Sequence, residues 1–341
     1  MVAPGTPLRE GIDGIIHART GGLILLAEPD EVSFLLSGGV KLDVDYNPAL
    51  LYQLAKMDGA IILDADASRI LWANVQLMPD PTILSMETGT RHRTAERVSK
   101  QTKALVIAVS QRRDVVSLYV EGIKYILVDI PTVLSKANQA LATLEKYRQH
   151  FDRISARLFE QELHGAVPLH DALAVLQRAK LVIRMATEVE RYVIELGSEG
   201  RLIEMQLEEM SVGVVAERAA LVRDYIAVDS EPEVERALAE LQTLPHRELL
   251  DFGRLAEVLG HDRKTNVLDF MVVPRGYRAL ARIPRLPRLF AQKIVQRFGD
   301  LEGILAATDE ALAAVDGVGE ARAQEIRAGL RRLQEVGFAD R

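Results

Sequence analysis

The sequence predicts a multidomain fold: an α/β domain with a mixed sheet, an all-α segment, and a small helical domain at the carboxyl-terminal end. Three observations support this fold class: the chain length, a change of sequence pattern near residue 131, and a reversal of charge near residue 274. The chain has 341 residues, which corresponds to two or three domains of roughly 150 residues each. We expect domains at residues 1–130, 131–273 and 274–341.

The composition is that of an ordinary folded chain, with 48% hydrophobic and 27% charged residues. The absence of cysteine excludes disulfides, thiolate catalysis and sulfur-ligated zinc, and it suits a reducing cytoplasm. The apolar runs are shorter than the roughly 20 residues that cross a bilayer, and no export signal is evident. We expect a soluble cytoplasmic protein without membrane contact. The net charge of −7 argues against a generally basic nucleic-acid coat but allows a local basic face.

Residues 1–130 alternate short β-branched apolar runs with helical patterns, which is typical of an α/β domain. The pair Glu121-Gly122 predicts an antiparallel hairpin between the last two strands, so the sheet has an antiparallel component. One helix is expected over residues 48–57, ended by Asp58-Gly59, and another begins near Thr90. The predicted strands span residues 22–27, 60–65, 104–110, 115–120 and 124–130.

The segment 131–273 has few strand signals and carries apolar residues at spacings of three and four, which predicts an all-α spine. The acidic residues between Glu188 and Glu209 are interpreted as a solvated helix face, and a metal site there is disfavoured. The predicted buried stripes are Leu173, Leu176, Ala179, Ile183 and Val189, followed by Leu202, Met205, Leu207 and Met210.

The last segment reverses the charge, because basic residues follow one another from Arg275 to Arg297 with no acidic residue before Asp300. Such a cluster is typical of phosphate binding. Further on, Gly317 and Gly319 lie between two helical patterns, where a tight hairpin would present backbone N–H groups at the start of the second helix. Contacts of this kind bind the DNA backbone rather than the bases.

This pattern resembles the helix-hairpin-helix family, which binds DNA through a tandem pair of motifs. The upstream copy would span residues 283–298, with Arg285 and Pro287 in place of the two glycines. A glycine-rich turn that only joins two core helices remains the alternative. The candidate DNA-binding residues are Arg285, Arg288, Lys293, Gly317, Val318 and Gly319.

The stretch from Thr88 to Arg97 carries a second phosphate signal. If a helix starts near Thr90, Arg91 and Arg93 place positive charge at the positive end of its dipole, which is unfavourable unless an anion binds there. A solvated face, with Glu96 as the ionic partner, remains the alternative. The other candidate contacts of this phosphate cradle are Gly89, Thr90, His92 and Thr94.

Asp58-Gly59-Ala60 stands between a helix and a strand, where Gly59 is expected to take a positive φ angle. An aspartate at this position can hold Mg²⁺ or Mn²⁺ and orient a hydroxyl nucleophile. The loop that begins at Ser110 and contains Arg113 follows another strand and is a further candidate for phosphate contact, with an exposed loop as an even alternative.

Together these motifs resemble the DisA family of bacterial diadenylate cyclases. The resemblance is carried by Asp58-Gly59-Ala60, by residues 73–77 and 89–97, and by the final helix-hairpin-helix, and it extends over nearly the whole chain. It implies condensation of two ATP molecules into cyclic di-AMP with release of two pyrophosphates. It also implies an octamer with facing cyclase domains and a helical spine. The family members are associated with DNA in the cytoplasm, and branched or junction DNA lowers their cyclase activity.

The resemblance also assigns residues. It implies that Asp58 binds the Mg²⁺ or Mn²⁺ ion, and that Asp58, Arg91 and His92 are the catalytic set. The implied ATP-binding residues are Gly59, Ala60, Leu77, Gly89, Thr90, Arg91, His92, Arg93, Thr94, Ser110 and Arg113.

Two other functions compete with this interpretation. A DNA-bound nucleotide sensor or scaffold would bind ATP or cyclic di-AMP without turnover, and the intact Asp58 argues against it. A DNA repair nuclease or glycosylase would need a cluster of catalytic carboxylates beside the hairpin motif, and the sequence has no recognisable cluster there.

Overall fold

The computed structural model describes residues 1–111, 115–264 and 266–339, with side chains up to residue 335. The chain divides into two compact units, residues 1–137 with 191–203, and residues 138–190 with those from 204 onward. The second unit thus contains both most of the helical segment and the basic carboxyl-terminal segment. The three domain boundaries drawn from the sequence stay predictions.

The amino-terminal unit is built on a mixed sheet flanked by helices. A short 3₁₀ turn, Ser33–Leu35, precedes its second strand. In chain order the elements are α1 (Pro7–His17), β1 (Gly22–Leu26), α2 (Pro29–Val32), β2 (Leu36–Ser37), β3 (Val40–Asp45), α3 (Pro48–Leu54), β4 (Ala60–Leu63), β5 (Arg69–Leu77), α4 (Thr90–Gln101), β6 (Leu105–Val109), β7 (Val116–Val120) and β8 (Ile123–Leu127).

Within the described residues the sheet has eight strands in the order β2-β5-β4-β1-β6-β7-β8, with β3 also paired to β5. Strands β1 and β4 are parallel, and the other pairs are antiparallel. Alternate residues of β1 enter different cores: Leu25 packs on the face covered by α4, and Ile24 on the face covered by α1 and α3. Both faces of the central strands are therefore buried, which explains their uninterrupted apolar runs.

The turn between β7 and β8 confirms the hairpin predicted at Glu121-Gly122. Both residues have positive φ angles, 49° and 77°, as the two central residues of a type I′ turn require. The following strand was predicted too long, because it ends at Leu127 and a long helix begins at Ile130. The helix expected over residues 48–57 likewise ends at Leu54.

The sequence-based prediction missed α1, α2, β2, β3 and β5 of the amino-terminal unit. Two glycines, Gly11 and Gly14, lower the helix propensity of α1. Its stability comes instead from the Thr6 N-cap and from burial of one apolar face that includes Ile12 and Ile15. Strand β3 alternates apolar and polar residues from Val40 to Asp45, a strand signal that the prediction overlooked, although the strand itself is largely exposed.

The second unit is predominantly helical. A two-stranded antiparallel pair, β9 with β10, is also present. The elements that follow β8 are α5 (Ile130–Glu162), β9 (Val167–Pro168), α6 (Leu169–Leu196), a 3₁₀ turn (Gly197–Gly200), α7 (Arg201–Ser211), α8 (Val214–Tyr225), α9 (Glu231–Thr243), α10 (His246–Leu249), α11 (Phe252–Val258), β10 (Met271–Val272), α12 (Tyr277–Ala281), α13 (Arg288–Phe298), α14 (Leu301–Ala306), α15 (Asp309–Ala313) and α16 (Gly319–Ala339).

The predicted buried stripe of α7 is partly wrong. Leu207 is buried, but Leu202 and Met205 are 68% and 57% exposed, and Ile203 is the buried residue one turn before Leu207. Spacing alone cannot decide which of two adjacent apolar rows faces the core. Across the described residues no helix combines the length and the apolar character that a membrane span requires.

A buried arginine joins α12 to α5 and α8. The Arg278 side chain is 1% exposed and lies 2.5 Å from Glu162 and 2.8 Å from Glu217. It also donates to the hydroxyl and carbonyl oxygens of Ser155. Because each guanidinium nitrogen has an acceptor, the buried charge is compensated.

The adjacent Asp224 caps the start of α12. Its carboxylate accepts the backbone N–H groups of Gly276, Tyr277 and Arg278 at 2.7–2.9 Å. Burial raises the pKa of Asp224 to about 7, the Glu162 carboxylate adds to the rise, and the backbone donors oppose it. The beginning of the basic segment is thus anchored by buried polar groups of α5 and α8.

We predict that Arg278→Met lowers the free energy of unfolding of the second unit by about 3–5 kcal/mol, because Glu162 is left buried without its cation. Differential scanning calorimetry at neutral pH measures the effect. Arg297→Met, at an exposed position on α13, is the matched control. Equal unfolding temperatures for the two variants would contradict a structural role for the buried pair.

Candidate functional site

Four segments meet at one edge of the mixed sheet. Because β1 and β4 are parallel, the residues that precede Gly22 and Ala60 lie at the same edge. The antiparallel partners end there too, since Val109 of β6 pairs with Gly22 and Val75 of β5 pairs with Ala60. The sequence candidates that this topology brings to the edge are Asp58, Gly59, Ala60, Leu77 and Ser110.

Gly59 is required both by its backbone conformation and by the space around it. Its φ angle is +94°, and a Cβ atom would lie 2.9 Å from the carbonyl carbon of Asn74 and from the oxygen of Val75. Asn74 itself has a φ angle of +53° where the β4–β5 register is irregular. The Asp58-Gly59 turn therefore packs directly on a bulge of β5, and Asp58 stands exposed at the entrance to β4.

Helix α4 starts at Thr90, where the sequence predicted it, and its N-cap Gly89 supplies no side-chain cap. Its first turn contains no acidic residue. The Arg91 guanidinium lies against Gly21, where a Cβ atom would come within 2.6 Å of Nη1 and 3.2 Å of Gln111. Since Gly21 precedes β1 and Gln111 follows β6, the beginning of α4 reaches the same edge as Asp58. This arrangement concentrates positive potential there.

The two arginines of this turn differ in orientation. Arg93 is exposed and its Nη2 donates to the carbonyl oxygen of Thr88 at 3.0 Å, whereas Arg91 is half-buried against the strand ends. Glu96, the alternative ionic partner, is buried and accepts hydrogen bonds from Ser85, Met86 and Lys100 instead. Through Ser85 and Met86, Glu96 therefore stabilises the loop that precedes α4.

His92 packs edge-on against Tyr119, with ring centroids 6.4 Å apart. The Tyr119 hydroxyl donates to Glu87 at 2.9 Å, and Lys124 donates to the same carboxylate oxygen at 2.6 Å. Burial raises the Tyr119 pKa, and the Glu87 hydrogen bond adds to this. Burial also acts to raise the pKa of Glu87, but the bonds from Lys124 and Tyr119 outweigh it and hold that pKa below its usual value. Tyr119 therefore packs beside the imidazole, and its own hydroxyl is held by Glu87.

Sequence reasoning missed the support formed by Glu87, Tyr119 and Lys124. Glu87 lies 32 and 37 positions from its two partners, so local spacing carries no signal of the contact. The tyrosine on a predicted strand was the one available hint, because a buried tyrosine usually needs a hydrogen-bond partner.

The remaining candidates have varied surroundings. Ala60 and Leu77 are buried in the core, so Ala60 can meet a ligand only through its backbone. Gly89 and Thr90 are exposed, while Thr94 is half-buried on the next turn. Ser110 is half-buried and its backbone N–H donates to Val115 at 2.9 Å. Arg113 lies outside the described residues.

Asp58 is a suitable donor for a metal that arrives with a nucleotide. No group of three or more histidine, aspartate or glutamate side chains suited to a metal is found in the described ranges. Magnesium commonly uses one or two carboxylates and completes its shell with phosphate oxygens and water. One exposed carboxylate at the sheet edge that the start of α4 also reaches fits that mode.

The two hairpins of the basic segment share a backbone feature. Arg285 has a φ angle of +59°, and Gly317 has +81° at the corresponding point of the second hairpin. Arg285 thus adopts the conformation that the missing glycine would take, at a cost for a side-chain-bearing residue. Gly319 also has a positive φ angle, 67°, whereas Pro287 at the equivalent place has −64° and is the N-cap of α13.

The other candidate DNA-binding residues have partners inside the second unit. Arg288, the first residue of α13, donates to Glu231 at 2.8 Å. Lys293 lies 2.5 Å from the carboxylate of Asp316 in the second hairpin. Val318 is 4% exposed in the core. Its backbone N–H donates to Val315, so a DNA contact at this residue stays a prediction.

Family models match both parts of the chain. The model described as "DisA bacterial checkpoint controller nucleotide-binding" covers residues 9–124, and the "DisA bacterial checkpoint controller linker region" covers residues 127–268. The first match contains the sheet edge described above, so the class of domain at this edge is a nucleotide-binding domain. The second contains most of the helical segment.

Full-length relatives give the family. The "DNA integrity scanning protein DisA" of Carboxydothermus hydrogenoformans is 50% identical and covers 98% of this chain and 95% of the relative. That of Symbiobacterium thermophilum is also 50% identical, over 98% and 94%. That of Frankia alni is 47% identical, over 100% and 95%. The chain therefore belongs to the DisA family, as its motifs indicated.

We predict that Gly59→Ala destabilises the amino-terminal unit more than Gly38→Ala. Both glycines have positive φ angles, but nothing lies within 4 Å of a Cβ atom at Gly38, so that control carries only the backbone cost of about 1–2 kcal/mol. The clash with Asn74 and Val75 adds to this cost at Gly59. Thermal unfolding of the two variants measures the difference, and equal shifts would contradict the close packing of the Asp58-Gly59 turn.

Proposed function

We propose that this chain is a diadenylate cyclase, which condenses two ATP molecules into cyclic di-AMP and two pyrophosphates, and that binding of branched DNA regulates this activity. The observation that carries the cyclase proposal is the convergence of Asp58, Arg91 and the uncapped start of α4 at one sheet edge. Membership of the DisA family and the nucleotide-binding match over residues 9–124 support it.

Each part of the edge has a role in the proposed reaction. The backbone N–H groups at the start of α4 and the Arg91 guanidinium bind the polyphosphate and neutralise charge that develops during transfer. His92, held by Tyr119, contributes a further phosphate contact. Leu77 and the backbone at Gly59 and Ala60 line the nucleotide. Ser110 and Thr94 add hydroxyl contacts.

Asp58 would bind Mg²⁺ or Mn²⁺ and help to activate the attacking 3′-hydroxyl group. When bound, the ion withdraws electron density from the phosphate and acidifies the hydroxyl. The protein supplies no nucleophile, because the 3′-hydroxyl of each ATP attacks the α-phosphate of the other, and each attack releases one pyrophosphate. Orientation and charge neutralisation therefore provide the rate acceleration.

The reaction needs two nucleotide sites that face each other, so we propose that the chain self-associates, as an octamer by family resemblance. Exposed apolar side chains support self-association. Ile123, Tyr125 and Ile126 on the edge strand β8 are 53–56% exposed, and an apolar edge strand is typical of a contact surface. In the second unit, Met205 and Val215 are also exposed.

We propose that residues 274–341 contain the tandem helix-hairpin-helix domain and bind the phosphate backbone of branched DNA in the cytoplasm. The matching positive φ angles of Arg285 and Gly317 support two related hairpins. Arg285, Arg288 and Lys293, with the hairpin backbones at Gly317, Val318 and Gly319, are the proposed contact set. Deleting this segment would also remove Arg278, the ionic partner of the buried Glu162, and would therefore disturb folding. Point variants test DNA binding without that effect.

We predict that Asp58→Asn abolishes cyclic di-AMP synthesis while the protein stays folded and binds ATP, because the amide cannot replace the carboxylate as metal ligand and activator. Mass spectrometry after incubation with ATP and Mg²⁺ or Mn²⁺ measures the product. Asp66→Asn, in the exposed turn between β4 and β5, is the matched control and should retain activity. A wild-type protein that binds ATP and yields no product with either metal would instead indicate a nucleotide sensor or scaffold.

We predict opposite effects of Arg285→Gly on stability and on DNA binding. Glycine adopts the φ angle of +59° without strain, so the free energy of unfolding should rise by up to about 1 kcal/mol. Loss of the cation should weaken binding to a four-way DNA junction and reduce its salt dependence. Calorimetry and fluorescence anisotropy measure the two quantities, and unchanged DNA affinity would remove Arg285 from the contact set.

A further inference from the structure

A polar cavity of about 520 Å³ opens in the second unit between the first turn of α9 and helix α13. It is lined by charged side chains of both signs and by the Tyr277 ring. The residues of its lining that matter here are Arg223, Glu231, Arg288 and Gln292. The sheet-edge site uses none of them.

Glu231 is the acceptor on which the hydrogen-bond donors of this cavity converge. Its two carboxylate oxygens accept hydrogen bonds from Arg223 at 2.6 and 2.7 Å, from Arg288 at 2.8 Å and from Gln292 at 3.1 Å. Two guanidinium groups and an amide converging on one anionic group are the donor set that a phosphate also attracts. The carboxylate occupies the place that suits a phosphate.

The two arginines hold Glu231 in different ways. Arg223 is 5% exposed, lies 5.6 Å from the Tyr277 ring, and its buried Nε has no hydrogen-bond partner in the part of the chain that the structure describes. Because Arg223 is buried, its positive charge would be unfavourable without the Glu231 carboxylate as its ionic partner. Arg288 is 60% exposed, so its pair with Glu231 contributes little and can exchange for another anion.

Arg288 is also the first residue of α13, an eleven-residue helix whose N-cap, Pro287, makes no side-chain cap. The start of this helix and the Arg288 guanidinium form one positive site, to which the proposed function assigns a DNA phosphate. Glu231 and that phosphate would compete for the same donors.

We infer that Glu231 is a built-in competitor of DNA: a backbone phosphate displaces its carboxylate from Arg288 and Gln292, while the carboxylate keeps Arg223. The inference rests on the proposed DNA binding and deepens it. Glu231 is the first residue of α9, so the exchange links occupancy of the basic segment to the start of a helix in the preceding segment. Wild-type affinity for DNA is lowered by this competition.

The test compares Glu231→Gln with Glu233→Gln in the full-length chain. Both changes remove one negative charge from the first turn of α9, and the side chains are similarly exposed, 47% and 43%. Glu233 pairs with Arg236 of its own helix and does not line the cavity. The glutamine at 231 keeps an oxygen that can accept from Arg223, and thermal unfolding checks that both variants are folded.

We predict that Glu231→Gln binds a four-way DNA junction about two- to fivefold more tightly than Glu233→Gln at about 0.15 M salt, the gain expected from releasing one exposed ion pair. The gain should vanish in an Arg288→Ala background, because the guanidinium group whose release raises the affinity is absent and the Gln292 amide carries no charge. Equal affinities for the two glutamine variants, or a gain that survives Arg288→Ala, would overturn the competition.

The possible outcomes distinguish a failure of the Glu231 competition from a failure of the proposed DNA binding. If wild-type protein binds no junction DNA even at low salt, and neither glutamine variant does, the proposed DNA binding fails and the competition fails with it. If wild-type protein binds DNA and the glutamine variants are indistinguishable, the DNA proposal stands and only the competition is wrong.

Discussion

The parallel pairing of β1 with β4 is the constraint on which the candidate site depends. In a sheet whose other pairs are antiparallel, this one pair places the beginnings of two strands at the same edge. The neighbours of these strands end there as well, so Asp58, Gly21 and Gln111 converge from distant parts of the chain. Gly59 then allows the Asp58 turn to settle on the β5 bulge without a steric clash. An aspartate in a looser turn would not be held beside the start of α4.

Charge is handled in two different ways in this protein. Arg278 is fully buried and paired with Glu162, Glu217 and Ser155, so its charge stabilises the packing of the helices. Arg91 is half-buried at a helix start without an acidic residue, so positive potential remains for a ligand. Burying a charge without a partner costs several kcal/mol, whereas an exposed pair contributes about 1 kcal/mol or less. The same comparison makes Arg288 exchangeable and leaves Arg223 dependent on Glu231.

The elements that the sequence predicted well are those with local causes. The Glu121-Gly122 turn and the start of α4 at Thr90 follow from residues within a few positions of each other. Helix α1 was missed because two glycines weaken its local signal, and tertiary burial of Ile12 and Ile15 compensates. The Tyr119–Glu87 support was missed because its partners meet only after the strands and the α4 loop have come together.

By itself the sequence determined the multidomain class, the motif residues from Asp58 to Thr94 and the family, since these depend on residue identity and short spacing. The tertiary structure alone decided which of the positive residues have partners. Arg93 donates to Thr88, Lys100 pairs with Glu96, Arg278 is buried among acidic residues, and Arg288 pairs with Glu231. The physical reason is that ionic and hydrogen-bond partners are chosen by proximity in space, and chain packing sets that proximity over separations that no local pattern encodes.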